Sequence, residues 1–261
     1  MYLFYRISDQ KRKLLPGVTK SLCLQNFLEV FGRENLFIVT ENCDSETVQF
    51  IENQLLGYEE ADLNYCLEQA AKTNGTVYFV DDNFIHRTPA QLLITEGLTL
   101  GQYVSLYDMP DKYGPKQTDG EESKVMRTPS SHWKFTKATG TTFATTGEIL
   151  REDWEVFQQW LNDPKFQLWP ALIEKDRQLA VCLPGAASEL SYNDQIEDWA
   201  IDNLLLELID RTLLMDQTVT AMILNFQRQY PEEKMKLLNI IAALEAEVQR
   251  KFIKVTLDIN V

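Results

Sequence analysis

The chain is poor in several things that whole classes of protein require. It has four cysteines, Cys23, Cys43, Cys66 and Cys182, and no two of them form a CxxC pair. That excludes a thiolate zinc knuckle and gives no disulfide framework, so the four read as reduced thiols. No apolar run approaches 18 residues, which excludes a membrane-spanning helix from the expected plan. The opening Met-Tyr-Leu-Phe-Tyr-Arg lacks the layout of a signal peptide, and a cytoplasmic location is the expectation. There is no internal repeat and no low-complexity segment. Positive charge is short: 25 Lys and Arg stand against 39 Asp and Glu, for a formal net charge of -14. Such a surface repels a phosphate backbone, so nucleic acid is not an expected partner. A nucleotide diphosphate differs, because a metal ion or a helix N-terminus can neutralise it locally.

What is present is a long alternation of strands and helices. The 261 residues are 44% hydrophobic, enough for one sizeable core or a main domain with a small appendage. Residues 2–7, 35–40 and 76–80 read as buried strands. Residues 19–31, 44–56 and 60–73 read as the helices between them, with Thr19 and Asp44 as caps and Gly57 and Asn74-Gly75 as stops. That order implies right-handed βαβ units and a mostly parallel sheet. Further on, 89–99 and 148–161 read as helices, and 103–107, 124–128, 141–146 and 178–183 as strands. Residues 108–122 read as an exposed loop. From about residue 198, Ile201, Leu204, Leu205 and Leu208 recur at helical spacing. Pro231 opens a second helix carrying Leu237, Ile241, Leu244 and Val248. Residues 252–259 alternate like a terminal strand. The expected plan is a main domain over 1–197 and a helical hairpin with that strand over 198–261.

The strongest chemical feature is Val80-Asp81-Asp82-Asn83, directly after an apolar strand. Acids at the carboxyl end of a parallel strand face the crevice where α/β proteins bind ligands. Two carboxylates beside an amide oxygen suit a hard divalent cation holding a diphosphate. An ordinary solvated turn is the alternative for the same residues.

The order of neighbouring features resembles family 2 glycosyltransferases. Val39-Thr40-Glu41-Asn42-Cys43-Asp44-Ser45-Glu46-Thr47 is similar to that family's Val-Asp-Asp-Gly-Ser-x-Asp-x-Thr. Asn64 sits at its Ala-x-x-Asn helix start, and Asp81-Asp82-Asn83 at its Asp-x-Asp motif. Thr142-Phe143-Ala144-Thr145-Thr146 looks like the strand before its acceptor-site helix, and Asn162-Asp163 like its Glu-Asp base pair. Glu189 falls where many such enzymes place a metal-binding His. The chain also resembles a group of bacterial and phage GT-A-like proteins through Tyr5-Arg6-Ile7-Ser8-Asp9, Phe84-Ile85-His86, Ser131-His132-Trp133-Lys134 and Pro184-Gly185. The likeness spans roughly residues 2–197. Thr40, Asn83 and Glu189 depart from the pattern.

The resemblance implies a GT-A-like α/β fold and a metal-dependent glycosyltransferase, moving a sugar from a nucleotide diphosphate sugar to a glycan or other acceptor hydroxyl. It implies Mn or Mg held by Asp81, Asn83 and Glu189, with Asp163 as general base. Arg6, Ser8, Glu41, Asn64, Asp81, Asp82, His86, His132 and Lys134 would bind the nucleotide sugar. Bland readings stand beside these. Asp163 before Pro164 could cap a helix, and either histidine could be a satisfied structural residue. Trp154, Phe157, Trp160, Phe166 and Trp169 could form an acceptor platform or plain core. Nucleotidyl transfer is disfavoured: segment 8–18 holds Lys11, Arg12 and Lys13 but only Gly17, and so no Gly-rich basic loop. The rival expectation is a GT-A-shaped binding or assembly protein without activity, homo-oligomeric through its hairpin.

Overall fold

The computed structural model describes residues 1–9, 14–15, 17–54, 56–109, 112, 124–191, 199–205, 223–224, 228 and 231–243. The chain forms two compact units. One comprises Met1–Arg12 with Lys20–Glu189, the other Lys13–Thr19 with Leu190–Val261.

In the first unit, β1 (Tyr2–Ser8), α1 (Lys20–Phe31), β2 (Leu36–Glu41), α2 (Ser45–Asn53) and β3 (Tyr58–Glu60) come first. Then follow α3 (Leu63–Ala71), β4 (Thr76–Asp81), β5 (Phe84–His86), α4 (Ala90–Gly97) and β6 (Tyr103–Ser105). The remainder is β7 (Val125–Arg127), β8 (His132–Thr136), β9 (Phe143–Thr146), α5 (Gly147–Glu152), α6 (Trp154–Asn162), α7 (Leu168–Glu174), β10 (Leu179–Leu183) and β11 (Ala187–Glu189).

Nine strands form one sheet in the order β3-β2-β1-β4-β9-β6-β10-β8-β7. It is parallel across β3, β2, β1 and β4 and again between β6 and β10. β9 runs antiparallel between β4 and β6, and β8 and β7 close the far edge antiparallel. The α/β class is as expected, with helices on both faces of the sheet. β1 shows why its sequence is apolar almost throughout. Leu3, Tyr5 and Ile7 pack on one face with Leu24, Phe27, Ile51 and Leu93. Phe4 packs on the other with Leu67, Phe79, Phe143, Phe157 and Trp169. Helices cover both faces, so alternate strand residues are all buried. The caps follow from the sequence: Asp44 accepts from Thr47 N (2.8 Å) and Asp62 from Tyr65 N (3.0 Å).

The structure departs from the sequence reading at several elements. The single helix expected over 148–161 is two, broken at Asp153. β3, β5, β8, β11 and α7 were not anticipated; β5 and β11 pair with each other as a separate two-stranded ribbon, and Ala187 of β11 also bridges Tyr107. In the second unit, residues 199–205 and 234–243 are helical. Ile201, Leu204, Leu205, Leu237 and Ile241 are buried, and Lys234 Nζ meets Asp202 at 2.8 Å. Leu208, Leu244, Val248, the strand expected over 252–259 and most of the loop 108–122 lie outside the described residues.

Candidate functional site

The carboxyl ends of β1, β2 and β4 meet at one edge of the sheet, with Ser8 level with Glu41 and Arg6 level with Asp81. Level partners on parallel strands project to the same face. Arg6 therefore reaches Asp81 directly: Nε and Nη2 each lie 2.9 Å from Asp81 Oδ1. Arg6 Nη1 lies 3.7 Å from Glu41 Oε2. Thr141, on the loop leading into β9, donates its hydroxyl to Asp81 Oδ2 at 2.6 Å. Asp82 follows β4, and its Oδ2 accepts from Ser8 N at 3.0 Å and lies 3.8 Å from Lys20 Nζ. Lys20, the first residue of α1, also pairs with Asp9, which accepts from Asp44 N and Thr47 Oγ1. Burial alone would raise the Asp9 carboxyl, but bonds from Lys20, Asp44 and Thr47 outweigh it and hold its pKa below the ordinary value. Asp81 and Asp82 are both buried.

The other expected residues are spread more widely. Asn83 is fully buried and donates Nδ2 to Glu189 Oε1 (2.9 Å) across the β5–β11 ribbon. Asn64, on α3, donates to Glu68 at 3.1 Å along its own helix. Lys134, on β8, pairs at 2.7 Å with Asp108, and both are buried. His132 is exposed at the start of β8, level with Leu183 and Arg127. His86 is enclosed rather than open to a ligand. Its Nε2 lies 2.7 Å from Tyr78 Oη, and Phe27 and Phe31 meet its ring edge-on. Burial pushes its pKa down to about 3, so it is a neutral core imidazole.

Asp163 does not cap a helix starting at Pro164. It closes α6, accepts from Lys165 N at 2.9 Å, and is exposed; the next helix begins at Leu168. Its carbonyl accepts from Phe166 N at 2.9 Å. That turn borders a cavity of about 350 Å³ walled by Phe143, Trp160, Phe166 and Trp169, with Gly140 and Thr141 also lining it. Thr141 thus joins the cavity to Asp81.

The expected metal set does not fit the arrangement of these side chains. Both oxygens of Asp81 already take donors, one from Arg6 and one from Thr141. The amide of Asn83 is turned donor-first to Glu189. Among the described residues no three His, Cys, Asp or Glu side chains cluster as ligands. Among the described residues, Arg6 and Lys20 are cations that face the carboxylates. Lys20 was missed by the sequence reading; Asp9 entered it only within the Tyr5-Arg6-Ile7-Ser8-Asp9 likeness, and Thr141 only within the polar loop Thr139-Gly140-Thr141-Thr142, readable as a phosphate cradle or an ordinary turn. Four acids at one sheet edge require counter-charge nearby, and Lys20 at a helix start beside Ser8-Asp9 was the available cue.

No protein-family model matches the chain, and no curated protein matches it. Solved structures share parts of its path. A cytidylyltransferase from Leptospira borgpetersenii serovar Hardjo-bovis is 11% identical, with 91% of this chain and 96% of that one covered and a TM-score of 0.44. The galactosyltransferase LgtC, solved with donor and acceptor sugar analogues, is 7% identical over 69% and 73% of the two chains, TM-score 0.41. Residues 1–349 of S. aureus TarS are 13% identical over 80% and 66%, TM-score 0.40. At these values none of them bears on what this chain does, and its own side chains must carry the reading.

Proposed function

We propose that the chain binds a nucleotide diphosphate sugar at the carboxyl edge of β1, β2 and β4 and transfers the sugar to an acceptor hydroxyl. The observation that supports this most is the meeting of Arg6, Ser8, Glu41, Asp81 and Asp82 on three adjacent parallel strands. In open α/β sheets the ligand crevice lies outside those ends. Glu41 and Asp82 offer acceptors for the hydroxyl and N–H groups of a nucleoside. Arg6 has five N–H donors and spends Nε and Nη2 on Asp81; Nη1 faces Glu41 Oε2 at 3.7 Å, beyond hydrogen-bond distance, so its hydrogens can take a phosphate oxygen that enters between them. With Lys20 it would stabilise the charge that develops on the departing diphosphate. Asp163 would take the acceptor proton as general base. A divalent metal, expected from the resemblance, would have to displace Arg6 or Thr141 from Asp81.

The test is release of nucleoside diphosphate from a panel of UDP-, GDP- and CDP-sugars, with Asp163→Asn beside the parent. The rate should fall roughly 10²–10⁴-fold in the variant while nucleotide affinity and melting temperature hold. Activity within a few-fold of the parent would remove Asp163 from the base role. Nucleotide binding without turnover by the parent would favour the rival, a GT-A-shaped binding protein. The carboxylates already neutralised by Arg6 and Lys20 are the feature that favours that rival.

A further inference from the structure

The cavity beside Asp81 has a character that its neighbour does not share. The carboxylate edge is built of charged groups, whereas among the described residues no charged side chain lines the cavity. Its walls are aromatic and its remaining groups are small, hydroxylic or amide. We infer that it is a binding subsite for an uncharged pyranose, the acceptor sugar of the transfer proposed above; only the acceptor role rests on that proposal.

Three observations carry the inference. First, the walls are fixed before any ligand arrives. The Trp169 ring meets Tyr103 and Phe143 edge-on at 5.6 and 5.3 Å, and Trp160 meets Phe157 edge-on at 6.3 Å. Rings packed in this way keep their place, so little order has to be imposed on binding. Second, the contents match one chemistry. A pyranose carries a C–H face for an aromatic wall and hydroxyls around its edge for polar neighbours. Here the polar neighbours are Thr139, Thr141 and the exposed amide of Gln167. A charged acceptor would enter without a counter-ion and lose its hydration, which is costly. At about 350 Å³ the cavity lies at the small end of small-molecule sites, which run from about 300 to 1,000 Å³. Third, the location is right for transfer. Thr141 lines the cavity and bonds Asp81, while Phe166 lines it and bonds the carbonyl of Asp163. The proposed donor site thus borders this space, and the backbone turn that carries the proposed base adjoins it.

The experiment is calorimetric titration of the full chain with methyl β-glucopyranoside, methyl β-galactopyranoside and N-acetylglucosamine, with uridine as the planar, base-bearing control. At least one glycoside should bind saturably. Trp160→Ala and Phe166→Ala should each weaken it about tenfold or more, the usual loss when an anchoring aromatic is truncated. Trp160→Phe should restore most of the binding. Gly140→Leu provides a second route, since a Cβ there meets nothing within 4 Å and the longer side chain can reach into the cavity that Gly140 lines. It should weaken the glycoside at an unchanged melting temperature. Nucleotide affinity, measured on the same variants, should not move. Failure of all three glycosides to bind, binding indifferent to these substitutions, or displacement of the glycoside by uridine would overturn the inference. Glycoside binding by a protein that binds no nucleotide would keep the sugar site and overturn its acceptor role.

Discussion

Arg6 and Asp81 stand 75 residues apart in sequence and touch because their strands are adjacent and in register. The acids at 81 and 82 are legible in sequence, because an apolar strand ending in carboxylates is a local pattern. Arg6's partner is not legible, since the register that supplies it is decided by strand order. His86 illustrates the opposite failure. Its spacing after the acidic cluster suggested a ligand contact, but three residues beyond Asn83 the chain has already turned into β5 and buried the ring. That burial has a consequence for stability. The native pKa is pushed to about 3, below the ordinary 6.5, so the neutral form stabilises the fold fully above pH 6.5. The contribution is lost as pH falls from about 6.5 towards 3, because the unfolded chain takes up the proton first. By pH 5 the loss is roughly 2 kcal/mol. Urea midpoints between pH 7 and 4.5 should therefore fall, and His86→Gln should flatten that slope whatever it does to absolute stability. An equal slope in the variant would show that other groups control the acid limb.

The break between α5 and α6 is decided by one side chain. Trp154, Phe157 and Trp160 continue the helical period of the preceding turn, so periodicity alone reads a single helix. Asp153 interrupts it. Its fully buried carboxylate accepts from Tyr103 at 2.8 Å and pairs with Lys175 at 2.7 Å and Arg177 at 2.8 Å. Asp153 keeps its helical backbone bonds, its N–H donating to the Ile149 carbonyl at 3.0 Å and its carbonyl accepting from Phe157 N at 3.2 Å. Its φ of -101° and ψ of 10° bend the chain there, and its carboxylate is held by three distant donors, none within its own segment. Burial would raise its pKa, but the bonds from Arg177, Lys175 and Tyr103 outweigh it and the net shift is downward. Its stabilisation is present above the unfolded carboxyl value and is lost as pH falls through the lower native one. Asp153→Ala leaves Arg177 without its buried partner and should cost about 3–5 kcal/mol, on the order of 10 °C in melting temperature. Asp153→Asn keeps the shape and should cost less. Calorimetric scans of both variants check this, and equal losses would mean that packing, not charge, holds the junction.

At the scale of the whole molecule, the alternation of apolar strands and helices through residue 83 was enough to give the α/β class and the edge where the carboxylates meet. Short strands were not legible. β5 and β11 have three residues each and are defined only by pairing across some hundred positions. The cavity was half legible: its aromatics were visible, but a helical spacing cannot tell a cavity wall from core. The chain is strongly acidic, and at the carboxyl edge of β1, β2 and β4 the fold sets Arg6 and Lys20 against Asp9, Glu41, Asp81 and Asp82. Calorimetry with UDP, GDP and CDP in the presence of EDTA asks whether that arrangement holds a nucleotide. At least one of the three should bind, and Arg6→Gln with Lys20→Gln should weaken it about thirtyfold or more, equivalent to about 2 kcal/mol, in a protein that still melts cooperatively. No binding of any of the three, binding that appears only with added Mn²⁺, or binding untouched by the double substitution would contradict the proposed role of Arg6 and Lys20.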